Sequence, residues 1–513
     1  MNYTEQKKTG YQSKTAVSVL TAATILAFAG VLFSDFLPGP FGGYANQRLL
    51  LVLLSGFLVV SSVLLLARSA LASQQSLAFA IVPAALLAVS FPVLSLSFSG
   101  QPFVWVEPAM YAVYFMAIGL AGLCLAHSGS AERYAALLVS IAAVGCFFYG
   151  GMTINVYLFT LTDKVENLVN FIPWGFVNIR YWSHIATWLI PLLPLAVLVG
   201  PLKRHRLWRF AVALGAGIWW WVIFLSAARG SALGILFGTM LALVLLGRHA
   251  LPWFKVFLQY LVTGAVLWLV LSVLIPSLMF DEVQIRSIQT DSSGRLPLFV
   301  EAWQMSLKNF PFGMGPQAWL THEPLTEGYR TGPKFGHPHN MYLMWAAEYG
   351  WILLLALAVW AGQAIRSFWR KRAAIRSEGG ADSGLLLAGF TASVSAALFH
   401  AGVSAVFMAP GSMLVGLFVF ICFFGLIQTP VSNISPSGKM VCGTRRRGMV
   451  LVLVGVLSVT WLAWAREVWQ YHQAMIEDQI YYQEHALGGT LPRFWFHGNF
   501  PRRPEQMPRL SRP

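Results

Sequence analysis

Long apolar runs separated by short polar punctuation are the dominant pattern of this chain. They fall at residues 15–33, 48–67, 77–97, 108–127, 134–158, 184–200, 207–227, 230–247, 253–279, 341–365, 384–404, 411–428 and 449–466. Most approach the roughly 20 residues that an α-helix needs to cross the hydrocarbon of a bilayer. Backbone in lipid must satisfy its own hydrogen bonds, which leaves helices or a closed barrel. Barrel strands alternate apolar and polar residues. Stretches such as LLLVLLSGFLVVSSVLLLA, residues 49–67, do not alternate. The pattern therefore predicts an all-α polytopic membrane protein with about 12–13 spans.

The same pattern divides the chain into four parts: residues 1–279 with nine spans, 280–340 as a long polar loop, 341–466 with the remaining spans, and 467–513 as a short tail. The 280–340 loop carries turn signals in SSGRLP, NFPFGMGPQAW and GYRTGPKFGHP. Between them LPLFVEAWQMSLKN predicts a short helix starting near Arg295, with Ser292 or Ser293 as its cap. A second long connection runs from Thr160 to His184. Loops of this length joining tightly connected spans are more often functional than idle. In the tail, apolar residues near helical spacing at Trp469, Met475 or Ile476, and Ile480 predict a continuation of the last helix or a surface helix. The ending PRRPEQMPRLSRP has the composition of a disordered segment.

Composition agrees with the membrane assignment. The chain of 513 residues is 57% hydrophobic and only 11% charged. Its net charge of +15 would suggest nucleic acid in a soluble protein. Here the cations gather in alternate short loops: Lys7, Lys8 and Lys14; Arg68; Arg133; Lys203 to Arg209; Arg248; Arg366 to Arg376; and Arg445 to Arg447. That is the positive-inside distribution, so no nucleic-acid partner is expected, the N-terminus is expected in the cytoplasm and the tail outside. The first apolar run lacks a small-residue cleavage signature and reads as a retained span. Cys124, Cys146 and Cys422 sit in apolar runs and Cys442 in a basic loop, without metal spacing, and no disulfide is expected.

The middles of the spans hold almost no Asp, Glu, Lys or Arg, which argues against a proton-coupled transporter or a voltage sensor. Polar groups pool instead at the outer ends. Arg229 stands in LSAARGSALGILFG, Arg295 in DSSGRLPLFVEAW, Arg180 in NIRYWSH, and His337 and His339 in KFGHPHNMYLMWAAEYG. Each alone has an ordinary reading: a snorkelling arginine, a solvated loop charge, a hydrogen-bonded histidine. Together they suit chemistry on a phosphorylated lipid. Arginine grips phosphate with a permanently charged fork. A helix N-terminus favours the neutral imidazole, and a base poised near neutrality can take a proton from a hydroxyl. Glu348 lies nine residues beyond His339, about 14 Å along a helix, and is expected to bond a neighbouring helix. No HExxH, acidic pair or Cys/His metal spacing appears, so neither a metal nor another cofactor is expected.

AARGSALG, GRLPLFVEAWQM, PFGMGPQAW and HPHNMYLMWAAEYG resemble the O-antigen ligase and O-antigen polymerase superfamily, which includes oligosaccharyltransferases that glycosylate pilins. The likeness in motifs covers Ser226 to Gly350. It implies a glycosyltransferase of the bacterial inner membrane that takes a glycan from undecaprenyl diphosphate at the periplasmic face. A ligase would pass it to a lipid A core hydroxyl, with inversion and without a metal. Carried over by motif, Arg229 and Arg295 would hold the diphosphate and His339, the histidine before Asn340, would activate the acceptor, with His337 beside it. Arg180, at the outer face, is a third candidate for the same anion. Family ligases commonly have twelve spans with both ends inside, so a thirteenth span with an outside tail departs from that pattern. A repeat-unit polymerase or a protein oligosaccharyltransferase would use the same donor. A transporter of an amphipathic substrate would need a polar path through the full membrane depth.

Overall fold

The computed structural model of the chain describes residues 3–38, 42–43, 46–68, 74–100, 103–165, 171–176, 179–280, 294–332, 335–428 and 444–484. Every regular element among them is helical. In order these are α1 (Tyr3–Leu32), α2 (Gln47–Arg68), α3 (Gln74–Ser95), α4 (Val106–His127), α5 (Ala131–Thr162), α6 (Ile179–Leu189), α7 (Arg206–Ser226), α8 (Arg229–Leu246), α9 (Leu251–Trp268) and α10 (Ile275–Phe280). There follow α11 (Arg295–Lys308), α12 (Ala318–Thr321), α13 (Glu327–Thr331), α14 (Met341–Glu378), α15 (Ala381–Ala401), α16 (Pro410–Ile427) and α17 (Thr444–Glu484). Twelve helices among the described residues are long and apolar enough to cross a membrane.

The sixth of the thirteen apolar runs, 184–200, is the exception. It is not one helix: α6 stops at Leu189 and a short 3₁₀ stretch covers Leu193–Val197. Pro191 and Pro194 are the reason, since neither has an N–H to continue the ladder. The freed carbonyls are met by neighbours. Trp253 Nε1 donates to Pro191 O at 2.8 Å, and Ser393 Oγ donates to Trp188 O at 2.6 Å. Every residue from Trp182 to Ala196 is buried, so this irregular backbone lies inside protein, where membrane-depth breaks are tolerated.

α16 is the central post, with all residues from Pro410 to Cys422 buried. α8 runs along α15. The contact depends on Gly230, Gly234 and Gly238, spaced four apart on one face of α8. A Cβ on Gly234 would lie 2.7 Å from the Ala396 carbonyl oxygen, and one on Gly238 would collide with that of Ala392. Small residues at this spacing let two helices approach closely in lipid, where van der Waals packing replaces the hydrophobic effect. α17 continues to Glu484, agreeing with the predicted extension of the last helix, and leans on the bundle through Trp461 and Trp464, whose indole N–H groups donate to Val52 O and Val106 O.

α11 to α13 form a small layer over one end of the bundle, around Leu298, Ala302, Met305, Trp319 and Tyr329. α11 starts at Arg295, one residue before the predicted helix. Its N-cap residue is Gly294, at φ 66°, with no side-chain cap bond; Ser292 and Ser293 lie outside the described residues. The layer is pinned to the bundle at a kink in α14. Gly350 has φ 82° and ψ 177°, and a Cβ there would strike Pro311 O. The chain segment 311–315 enters this break. Met314 N–H donates to Ala347 O at 2.8 Å, Gly315 N–H to Glu348 O at 2.9 Å, and Trp351 N–H to Pro311 O at 2.8 Å. The backbone groups that the kink releases are thus satisfied by the loop that causes it.

Candidate functional site

The segment before α14 sets the site. Asn340 is the N-cap, and its Oδ1 accepts from Leu343 N–H at 3.0 Å. His339 precedes it at φ 58°, a left-handed conformation that L-residues other than Asn, Asp and His seldom adopt. The backbone N–H of His339 donates to Nδ1 of His337 at 3.1 Å, so a neutral His337 carries its proton on Nε2. The two rings meet edge to face with centroids 4.2 Å apart, and both are buried. Nδ1 of His339 is buried and finds no hydrogen-bond partner among the described residues. An oriented, unpartnered imidazole nitrogen is what a reacting hydroxyl needs to find.

The arginines converge on this pair. Arg295, half-buried at the start of α11, donates from Nη1 to the Val403 carbonyl in the α15–α16 connection at 3.1 Å. Burial, with Arg180 and Arg229 as neighbouring cations, pushes its guanidinium pKa down. Arg229 and Arg180 are exposed, at the first residue of α8 and the second of α6. His339 feels Arg295 and Arg180. All five residues singled out in the sequence thus gather at one end of the bundle, three guanidinium groups around a histidine pair. In one respect the expectation needs correction. Burial first, then Arg295 and Arg180, lowers the His339 pKa to about 3, well below the near-neutral value expected of the base. Burial disfavours the charged imidazole, and the arginines add to it: the cluster that suits an anion disfavours a protonated imidazole beside it.

Three further groups escaped the sequence reading. His184 in α6 makes a 2.7 Å hydrogen bond from Nε2 to Ser404 Oγ, and His400 in α15 one of 3.0 Å from Nδ1 to Thr187 Oγ1. Their rings lie 5.0 Å apart. A Cβ on Gly230 would sit 2.9 Å from His400 Nε2, so this second pair lies directly under the residue that follows Arg229. Arg48, buried in the first turn of α2, reaches the site electrostatically through Tyr181, which Arg180 also influences. Each stands at the edge of an apolar run, the same signal that marked His337 and His339.

Glu348 bonds a neighbouring helix, as expected, and that helix lies in the loop layer. Its Oε1 accepts from Trp319 N–H at 3.0 Å, at the start of the short loop helix α12. A second buried carboxylate organises the layer. Glu301 accepts from Leu325 N–H at 2.7 Å, from Thr326 N–H at 2.8 Å and from the Thr326 hydroxyl, and its Oε1 lies 2.7 Å from His322 Nε2. Burial pushes the Glu301 pKa up, but the bonds from Thr326, Leu325 and His322 outweigh it and the net shift is downward. Trp319 Nε1 in turn donates to Phe335 O at 2.8 Å, which ties the layer to the segment carrying the histidines.

Residues 210–358 match the protein-family model described as O-antigen ligase. This match supports a relation to the O-antigen ligase and polymerase superfamily and an enzyme of ligase or polymerase type acting on lipid-linked glycans in a membrane. No curated protein matches the chain. The matched stretch contains Arg229, Arg295, His337, His339 and the Gly350 kink. Arg180, His184 and His400 come from outside it, on helices packed against its own.

Proposed function

We propose that this protein is an O-antigen ligase that moves a polysaccharide from undecaprenyl diphosphate to a hydroxyl of the lipid A core. The observation that carries the reading is the burial of His339 within electrostatic reach of Arg295 and Arg180, with Arg229 beside Arg295. The distribution of Lys and Arg along the chain supports a periplasmic location for this end of the bundle, in the bacterial inner membrane. The layer of α11 to α13, residues 295–331, then forms the outer cover of the site, and the spanning helices supply its floor.

In the reaction, Arg229 and Arg295 hold the diphosphate, and Arg180 adds charge at the rim. The acceptor oxygen attacks the anomeric carbon from the face opposite the diphosphate, so the configuration inverts. Its proton passes to His339, and the carbon–oxygen bond to the diphosphate breaks. The charge that accumulates on the leaving diphosphate is stabilised by the guanidinium groups already in place, a preorganised arrangement of the kind that contributes most to such rates. Bound diphosphate also offsets the cationic surroundings of His339 and so raises its basicity when it is needed.

The test is transfer by the purified protein from a defined undecaprenyl-diphosphate glycan, with core lipid, a second copy of the lipid-linked repeat unit and a pilin offered side by side. Product on core lipid is expected. Product only on the repeat unit makes the chain a polymerase, product only on pilin a protein oligosaccharyltransferase, and no product on any acceptor contradicts the reading.

A further inference from the structure

α6 carries a polar face into the interior of the bundle. Arg180, Ser183, His184 and Thr187 recur at the spacing of one helix face, and Trp182, Ile185 and Leu189 fill the opposite one. Every residue of α6 from Trp182 onward is buried, so its polar groups need partners within the protein. Ser183 O accepts from Ser231 Oγ of α8 at 2.9 Å and from Thr187 Oγ1 at 2.8 Å. The Thr187 proton is thereby used, so Thr187 Oγ1 accepts from Nδ1–H of His400 at 3.0 Å. His184 Nε2 lies 2.7 Å from Ser404 Oγ. Nδ1 of His184 is left over: it is buried and finds no hydrogen-bond partner among the described residues.

This nitrogen belongs to the neighbourhood of the arginines and of His339. His184 stands one turn beyond Arg180 on the same face of α6. Its partner Ser404 directly follows Val403, whose carbonyl holds Arg295. Ser231, which ties α8 to α6, is two residues beyond Arg229. His184 itself lies within electrostatic reach of His400, His337, His339 and Arg180. One end of the bundle therefore holds two buried imidazole nitrogens without a protein partner, Nδ1 of His339 and Nδ1 of His184. A buried polar atom left so is costly, and a ligand that meets both removes that cost. The transfer reaction occupies only the first, with the hydroxyl that attacks.

We propose that His184 Nδ1 binds a second, non-reacting hydroxyl of the acceptor, so that the acceptor is a polyol held at two points, one hydroxyl at His339 and another at His184. A hydroxyl both donates and accepts, so it satisfies Nδ1 in whichever tautomer the Ser404 bond selects. The claim rests on the transfer reaction proposed above and deepens it by naming the acceptor class. A sugar fits. A serine or threonine side chain does not, because its one hydroxyl is consumed at His339 and nothing remains for His184.

The test is steady-state transfer by the full-length protein from the lipid-linked donor to core lipid (or to the lipid-linked repeat unit, if that is what accepts) and to analogues of that acceptor each lacking one hydroxyl. Two variants separate the two ring nitrogens. His184→Asn keeps an amide close to the position of Nδ1 and gives up the bond to Ser404, whereas His184→Gln keeps a group near Nε2 and gives up Nδ1. On the complete acceptor, His184→Ala and His184→Gln should raise the acceptor KM about tenfold, the scale of one net hydrogen bond, with KM for the donor unchanged. His184→Asn should restore part of the loss. One analogue should be about tenfold poorer with the unmodified protein, and on that analogue His184→Ala should cost nothing further. Rescue by His184→Gln but not by His184→Asn would make this histidine a structural partner of Ser404 and overturn the proposal. An equal His184→Ala penalty on every analogue, or transfer to pilin alone, would overturn it as well. Normal transfer by His184→Ala contradicts only the second contact, whereas absence of transfer by the unmodified protein to any acceptor overturns the proposed function together with it.

Discussion

His337 holds His339 by its backbone: the N–H of His339 donates to His337 Nδ1 at 3.1 Å while the rings meet at 4.2 Å. His337 is thereby a positioning residue. Its replacement removes the acceptor that helps keep His339 at φ 58°. His337→Ala should lower the transfer rate about tenfold, the scale of one net hydrogen bond. His337→Asn, whose side-chain oxygen can accept the same N–H, should recover part of it. Steady-state kinetics check this: the loss should fall on kcat, with KM for the donor little changed.

The pH dependence follows from the His339 environment. Its pKa in the folded protein is about 3, against an ordinary value of 6.5. Between these values the unfolded chain binds a proton at this position and the folded chain does not. The contribution is absent above pH 6.5 and becomes a growing loss of stability as pH falls toward 3. Donor binding places negative charge beside the arginines and should move the base upward. The acidic limb of kcat, which reports the donor-bound enzyme, should therefore lie at higher pH than the limb of kcat/KM. Coincident limbs would count against a diphosphate at Arg295.

Glu301 gives a second pH-linked prediction. Its pKa is lowered from 4.5, so its stabilisation is present above that value and is lost as pH falls below it. Glu301→Gln should cost about 1–3 kcal/mol, because three donors lose a charged acceptor. Hydrogen exchange should show lost protection over residues 318–332, with the spanning helices unaffected.

The kink in α14 is testable with one helix as its own control. Gly350→Ala would place a Cβ against Pro311 O in a backbone at φ 82°, whereas a Cβ on Gly362 meets nothing within 4 Å. Gly350→Ala should destabilise the protein by at least about 2 kcal/mol and displace the 311–315 segment. Gly362→Ala should leave the thermal midpoint unchanged or raise it slightly.

The spans were legible because lipid imposes a single demand, a long apolar helix, and the sequence meets it with runs that do not alternate. The break at Pro191 and Pro194 was legible in principle, since the prolines interrupt an otherwise regular run. Its stabilisation by Trp253 and Ser393 depends on tertiary partners that no local pattern shows. The five candidate residues were visible as polar groups at span ends, and the structure brings them together. His184, His400 and Arg48 carried the same signal more weakly, because each sits just inside a helix and reads as part of it. The depressed basicity of His339 was not legible, because it arises from burial in the folded chain and then from Arg295 and Arg180, 44 and 159 residues away along the chain.

Donor binding and glycan transfer measured on the same purified His339→Gly protein test the central claim most directly. Glycine accepts the positive φ at this position, so loss of the imidazole is separated from backbone strain. The account predicts donor affinity within about twofold of the unmodified protein together with transfer reduced to background. Transfer at the unmodified rate would show that the acceptor proton goes elsewhere, and the assignment of His339 would be wrong.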